Sequence, residues 1–175
     1  MTLRSPTLHI TVLMTIVAAS VGATSRPPTP YIDKGACPFE GCTYRTWIAR
    51  KEVHLVAQPN SKKEIGVIHA GERVVGLTGE VHSIPLLVHA GENHPDPDNP
   101  DHVLIPKGAA YYVLHYQGEC VWLCWYNGQL TQLENCSDKG PLPKATWWVK
   151  VQTSSGLVGW TISEPGDFEG QDGLA

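Results

Sequence analysis

After residue 46 no stretch carries the 3.6-residue apolar repeat of an amphipathic helix, and short β-branched and aromatic runs stand in its place. Val53, Leu55 and Ala57 alternate. Residues 73–77 (RVVGL), 110–116 (AYYVLHY), 121–126 (VWLCWY), 147–151 (WWVKV) and 159–162 (GWTI) follow. Such runs recur at about 8–12-residue spacing with Gly, Pro and Asn between them, the pattern of a small β-barrel or sandwich. The 17 Gly and 14 Pro suit many tight turns. The expected fold class is all-β.

The N-terminus reads differently. Residues 1–9 hold one cation, Arg4, and no acid, and residues 10–23 (ITVLMTIVAASVGA) are apolar with small residues at the end. Val21 and Ala23 stand at −3 and −1 of a cleavage site before Thr24. This predicts a secretory signal peptide over 1–23. The apolar run is too short to cross ~30 Å of hydrocarbon comfortably, and no second long run follows, so no integral membrane segment is expected after its removal. No Cys adjoins the cleavage site, which argues against a lipoprotein. The net charge is −4, becoming −5 without 1–23. A mildly acidic exported chain lacks the basic stripe of a nucleic-acid binder. The expected location is periplasmic or secreted.

Four regions follow the signal. Residues 24–46 are a Pro-rich lead-in and an irregular Cys-bearing segment, 49–163 the β-rich body, and 164–175 a C-terminal tail. The body carries a weak internal repeat. Ile68-x-x-Gly71 matches Ile105-x-x-Gly108, each followed by an apolar strand and Gly-Glu, at Gly79-Glu80 and Gly118-Glu119. A Trp-containing strand and a Gly turn close each copy, Trp122 to Gly128 and Trp148 to Gly156. Because the second closing strand lies beyond the whole inner copy, nesting is the simplest reading. An outer barrel is built from 49–82 and 145–163, and 84–133 is an inserted β-unit.

The run from Val53 to Ala57, then Gln58-Pro59-Asn60-Ser61, Ile65-Gly66-Val67-Ile68 and Gly71, is followed later by Trp148-x-Lys150-Val151 and Gly156-x-x-Gly159-Trp160. In this order they resemble the bacterial SH3-like domains of exported proteins. The likeness covers about 50 residues in two blocks, with glycines serving tight turns. The family's Asn-x-Arg-x-Gly-Pro loop is replaced by Val56-Ala57-Gln58-Pro59-Asn60-Ser61, and about 65 residues separate Gly79 from Trp147 where the family has a few. Cys37-Pro38-Phe39-Glu40-Gly41-Cys42 is similar to the head of uncharacterised secreted proteins of this type. The resemblance implies an SH3-like binding module of the bacterial envelope, directed at cell-wall peptides or glycans, with no catalytic residues.

All five Cys follow the signal, and in an exported chain disulfides are the default. Pro38 and Gly41 can fold Cys37 back onto Cys42. Cys120 and Cys124, on one face of an extended strand, stand roughly 13 Å apart and do not pair. Cys136 can reach one of them, leaving one buried free thiol. His82, His89, His94 and His102 interleave with Glu92, Asp96, Asp98 and Asp101. Prolines punctuate the run and the calcium-loop pattern fails at Asp101 and Lys107, so it reads as a solvated extended loop. No metal site or cofactor is expected. Nucleophile and phosphate-loop signatures are absent, and Glu80 and Glu119 suit turns.

The six Trp and six Tyr are the better lead. Trp147, Val149 and Val151 share an apolar face assigned to the core. Trp148 and Lys150 share the other, and with Tyr111 and Tyr126 form the expected ligand surface. The strand at 120–126 is apolar on both faces, which fits a place between two barrels. The expected function is a non-enzymatic envelope-binding module whose partner is a cell-wall peptide or glycan, or an envelope protein. The alternative is a metal- or redox-active exported protein using Cys37/Cys42 or the His89–His102 loop.

Overall fold

The computed structural model describes residues 26–96, 98–135 and 141–174, Pro100 by its backbone alone. The signal peptide expected over 1–23 and Cys136 lie outside these residues. The described residues form no helix. They therefore contain no helix long and apolar enough to cross a membrane.

Fourteen strands run along the described chain: β1 (Tyr31–Lys34), β2 (Thr46–Ala49), β3 (Val53–Val56), β4 (Glu64–Ile68), β5 (Arg73–Ile84), β6 (Leu86–His89), β7 (His94–Asp96), β8 (Asn99–Ile105), β9 (Ala110–Gly118), β10 (Val121–Tyr126), β11 (Gln129–Glu134), β12 (Lys144–Thr153), β13 (Val158–Ile162) and β14 (Phe168–Glu169). An eight-stranded sheet curls into a half-barrel in the order β14-β2-β5-β12-β13-β3-β4, with β1 also on β5. A four-stranded sheet runs β11-β10-β9-β6, and β7 and β8 pair by themselves. Residues 86–134 thus build their own sheets between two strands, β5 and β12, that are neighbours in the large one.

The large sheet wraps a core of Trp47, Leu55, Ile68, Val74, Val149 and Val151. Trp147, Val149 and Val151 do face inward, as alternation in a strand demands. Trp47 is fully buried, with ring centroids of Phe168, Tyr44 and Trp147 at 5.5, 5.8 and 6.4 Å. Its indole N–H donates to the Thr43 carbonyl at 3.0 Å. Gly76 makes room for it: a Cβ there would lie 2.7 Å from the ring.

Several expectations change. Tyr31–Lys34, read as part of the irregular Cys-bearing segment, pairs with the far end of β5, Tyr31 opposite Ser83 and Lys34 opposite Glu80. The tail is structured, since Phe168 and Gln171 are buried and β14 adds to β2. Part of the His89–His102 stretch, expected as a solvated loop, is in the β7–β8 ladder, which pairs His94–Asp96 with Asn99–Ile105. β10 is a central strand of the smaller sheet and does not lie between barrels. Cys120 sits beside Glu119 in the two-residue β9–β10 turn, both at positive φ, and so not on the strand face of Cys124. Glu80 lies within β5 rather than in a turn.

Candidate functional site

The strongest geometric feature is that the backbone hydrogen bonds around Gly71 and Gly108 match one for one. Gly71 N–H donates to the Ala49 carbonyl at 2.7 Å, Ala49 N–H to Glu72 at 2.9 Å, and Glu72 N–H to His69 at 3.0 Å. Gly108, Ala90 and Ala109 make the same three bonds, to Ala90, Ala109 and Pro106, at the same three distances. Both glycines have positive φ, 87° and 82°, where a Cβ would be strained. Ile68 and Ile105 are both fully buried beside them. The Gly-Glu halves of the repeat are not equivalent, since Gly79 lies mid-strand and Gly118 at a turn.

From this anchor the registers align two units. Trp47 opposite Val74 corresponds to Val88 opposite Tyr111. Gly76 opposite Val151 corresponds to Val113 opposite Cys124. Val149 opposite Thr161 corresponds to Trp122 opposite Leu133. Val53 opposite Ile68 corresponds to His94 opposite Ile105.

The units differ in how they close. In the first, β13 pairs with β3 through Trp160 and Val56, and Trp47 fills the interior. In the inserted unit no described residue joins β11 to β7, and a valine replaces the tryptophan. What remains is an open cleft of about 530 Å³, within the usual range of a small-ligand site. Its floor is Val88, Tyr111, Val113, Trp122, Cys124 and Leu133, of which Val88, Tyr111, Trp122 and Cys124 correspond to the core residues Trp47, Val74, Val149 and Val151 of the first unit. His89, Glu92 and His94 stand at its rim, and Leu142 between two prolines borders the mouth.

Polar groups in the cleft are few and placed. His94 meets the Tyr111 ring edge-on at 5.8 Å. The Trp122 indole N–H donates to the Asn135 carbonyl at 3.3 Å, and its ring lies 5.0 Å from Tyr116. Burial, with a smaller contribution from Cys124, pushes the Tyr111 phenol above its ordinary value. Cys124 is a free thiol, buried as a small apolar residue, and burial pushes it up to about 12. It is therefore a poor nucleophile. Iodoacetamide at about pH 8 is expected to leave it unmodified in the native protein and to label it in urea. The unfolded thiol titrates near 9 and the folded one near 12, so between these values only the unfolded state has lost its proton. Each unit of rising pH in that window is then expected to remove about 1.4 kcal/mol of stability. Rapid native labelling would refute the assignment.

The four residues of the expected ligand surface are not brought together. Trp148 is mostly buried in the large sheet, with the His82 ring 6.4 Å away. Lys150 is half-buried, its Nζ 5.9 Å over the Trp160 ring. Both belong to the large sheet. Tyr111 and Tyr126 belong to the smaller one, where Tyr111 floors the cleft and Tyr126 packs against the second core. Beside Trp148, Asn60 Nδ2 donates to His82 Nδ1 at 3.3 Å, and His82 Nε2 donates to Glu80 at 2.8 Å, which orients that ring. Trp122 was legible only as an aromatic in a strand buried on both sides.

Cys37 and Cys42 form a disulfide, Cα–Cα 5.5 Å. Cys120 is disulfide-bonded as well. Among the described residues no group of three or more His, Cys, Asp or Glu side chains could hold a metal ion. Searches of protein-family profiles, curated proteins and solved structures find no match to this chain.

Proposed function

We propose that the chain is an exported, non-enzymatic binding module of the bacterial cell envelope, built on two SH3-like units. Its ligand sits in the cleft of the inserted unit. The single observation that carries this reading is the contrast between two equivalent interiors, one filled by Trp47 and the other left open over Tyr111 and Trp122. A rigid aromatic floor with a few rim polar groups is the chemistry of a recognition site. The ligand is a cell-wall peptide or glycan, or an envelope protein. Trp148 and Lys150 take no part in it.

The test is co-sedimentation of the protein with purified sacculi, in parallel with capture from an envelope extract. Saturable retention in either arm is expected, and Trp122→Ala should weaken it about tenfold, as loss of a central aromatic contact does. Retention equal to that on an inert matrix in both arms, or unchanged by Trp122→Ala, would discard the reading.

A further inference from the structure

The first unit carries its own answer to what the inserted cleft would take. β14 pairs antiparallel with the outer edge of β2, Phe168 opposite Ala49 and Glu169 opposite Ile48. The Arg50 N–H donates to the Asp167 carbonyl at 2.9 Å, extending that ladder by one bond. Phe168, on the inward side with Ala49, reaches the Trp47 ring at 5.5 Å and is buried. A short extended segment thus adds to the sheet edge through backbone bonds and drives one aromatic side chain inward.

The equivalent edge in the inserted unit is β6, the last strand of its sheet. Ala90 corresponds to Ala49, His89 to Ile48 and Gly91 to Arg50 by the shared bond pattern at Gly71 and Gly108. No described residue pairs with the outer edge of β6. Val88, His89 and Gly91 of this same edge line the cleft. A residue seated opposite Ala90 would point inward, as Phe168 does, over Val88 and toward Tyr111. Glu92 lines the cleft, and the segment that follows it is acidic. Between 92 and 107 stand Glu92, Asp96, Asp98 and Asp101 against one cation, Lys107.

Resting on the cleft reading, we infer that the partner is an extended polypeptide segment that adds a strand to β6 and places a phenylalanine-like side chain in the cleft, with Lys or Arg beside it. Backbone pairing at a sheet edge supplies affinity and the pocket supplies specificity. The basic neighbours answer Glu92 and the acidic segment after it.

The probe is the acetylated, amidated peptide Thr-Lys-Phe-Lys-Thr, titrated into the full chain and followed by amide and indole NMR signals. Shifts are expected at Leu87, His89 and Gly91 and at the Trp122 indole. Replacing the peptide's Phe by Ala, or methylating its backbone nitrogens, should each weaken binding at least tenfold. Neither control alters the protein. Val88→Trp, which restores the first unit's filling residue, should abolish the shifts. Absence of binding by the Phe peptide, or equal binding by the Ala or N-methylated peptide, overturns the inference. Solubilised wall fragments run in the same titration separate the two levels. If they shift the Trp122 indole while the Phe peptide does not, the cleft is a ligand site and the peptide assignment is wrong. If neither shifts it, both fail.

Discussion

Trp47→Ala is expected to lower the unfolding free energy by about 3–5 kcal/mol, the range for deleting a large core aromatic. Three features put this residue at the top of that range. It is fully buried, it contacts the rings of Tyr44, Trp147 and Phe168, and its N–H is satisfied by Thr43. Truncation leaves a cavity against Gly76, which offers no side chain to collapse into it. It also removes the platform on which Phe168 rests, so β14 should loosen from β2. Urea unfolding followed by far-UV circular dichroism measures the loss. Trp160→Ala is the control. That ring is half-buried and lies on the opposite side of the sheet from the core, and its loss should be near 1 kcal/mol or less. Equal losses from the two would contradict the core described here.

The second large effect is expected at His115, which is 2% exposed yet polar. Its Nδ1 lies 2.8 Å from the Tyr116 carbonyl and its Nε2 2.9 Å from the Asp33 carboxylate. Asp33 lies on β1 of the large sheet and His115 on β9 of the smaller one, so this pair ties the inserted unit to the first. His115→Ala removes the buried ring that both oxygens face. About 2–3 kcal/mol should be lost, since hydrogen bonds to charged groups are worth about 1.5–3 kcal/mol and orphaned acceptors add a penalty. Amide exchange in β1 and β9 should accelerate more than in β3 or β4, because the broken contact joins only the former pair. Uniform acceleration throughout would mean that the pair does not link the units.

Much of this fold is legible from residue patterns. The alternation at 53–57 and 147–151 identifies strands and their buried face, because side chains on a pleated backbone point to opposite sides. Gly71 and Gly108 mark equivalent turns, because few other residues tolerate their positive φ. Tyr31–Lys34 and Phe168–Glu169 carried no such signal. They are strands of four and two residues, and each is ordered by the edge it joins rather than by its own propensity. The same holds for His94 and Pro95, a proline-punctuated stretch that pairs because β8 stands opposite.

The site was less legible. Trp148 has the alternation of an outward residue, yet it is buried, since what covers a sheet's outer face depends on neighbours remote in the chain. Tyr111 was singled out as a ligand contact and lies in the cleft floor, but its companions there are Val88, Trp122 and Leu133 rather than Trp148 and Lys150.

By itself the amino-acid order determined the strand-rich class, the paired turns at Gly71 and Gly108, and the inward face of 147–151. These are local, set by backbone sterics and the two-residue period of a strand. Only the tertiary structure decided which interior is filled and which is open. That outcome rests on cross-strand pairs, Trp47 with Val74 and Val88 with Tyr111, together with the closing contact of Trp160 and Val56 that the inserted unit does not repeat among its described residues. Packing volume is a property of residues brought together from distant positions, and no single segment carries it.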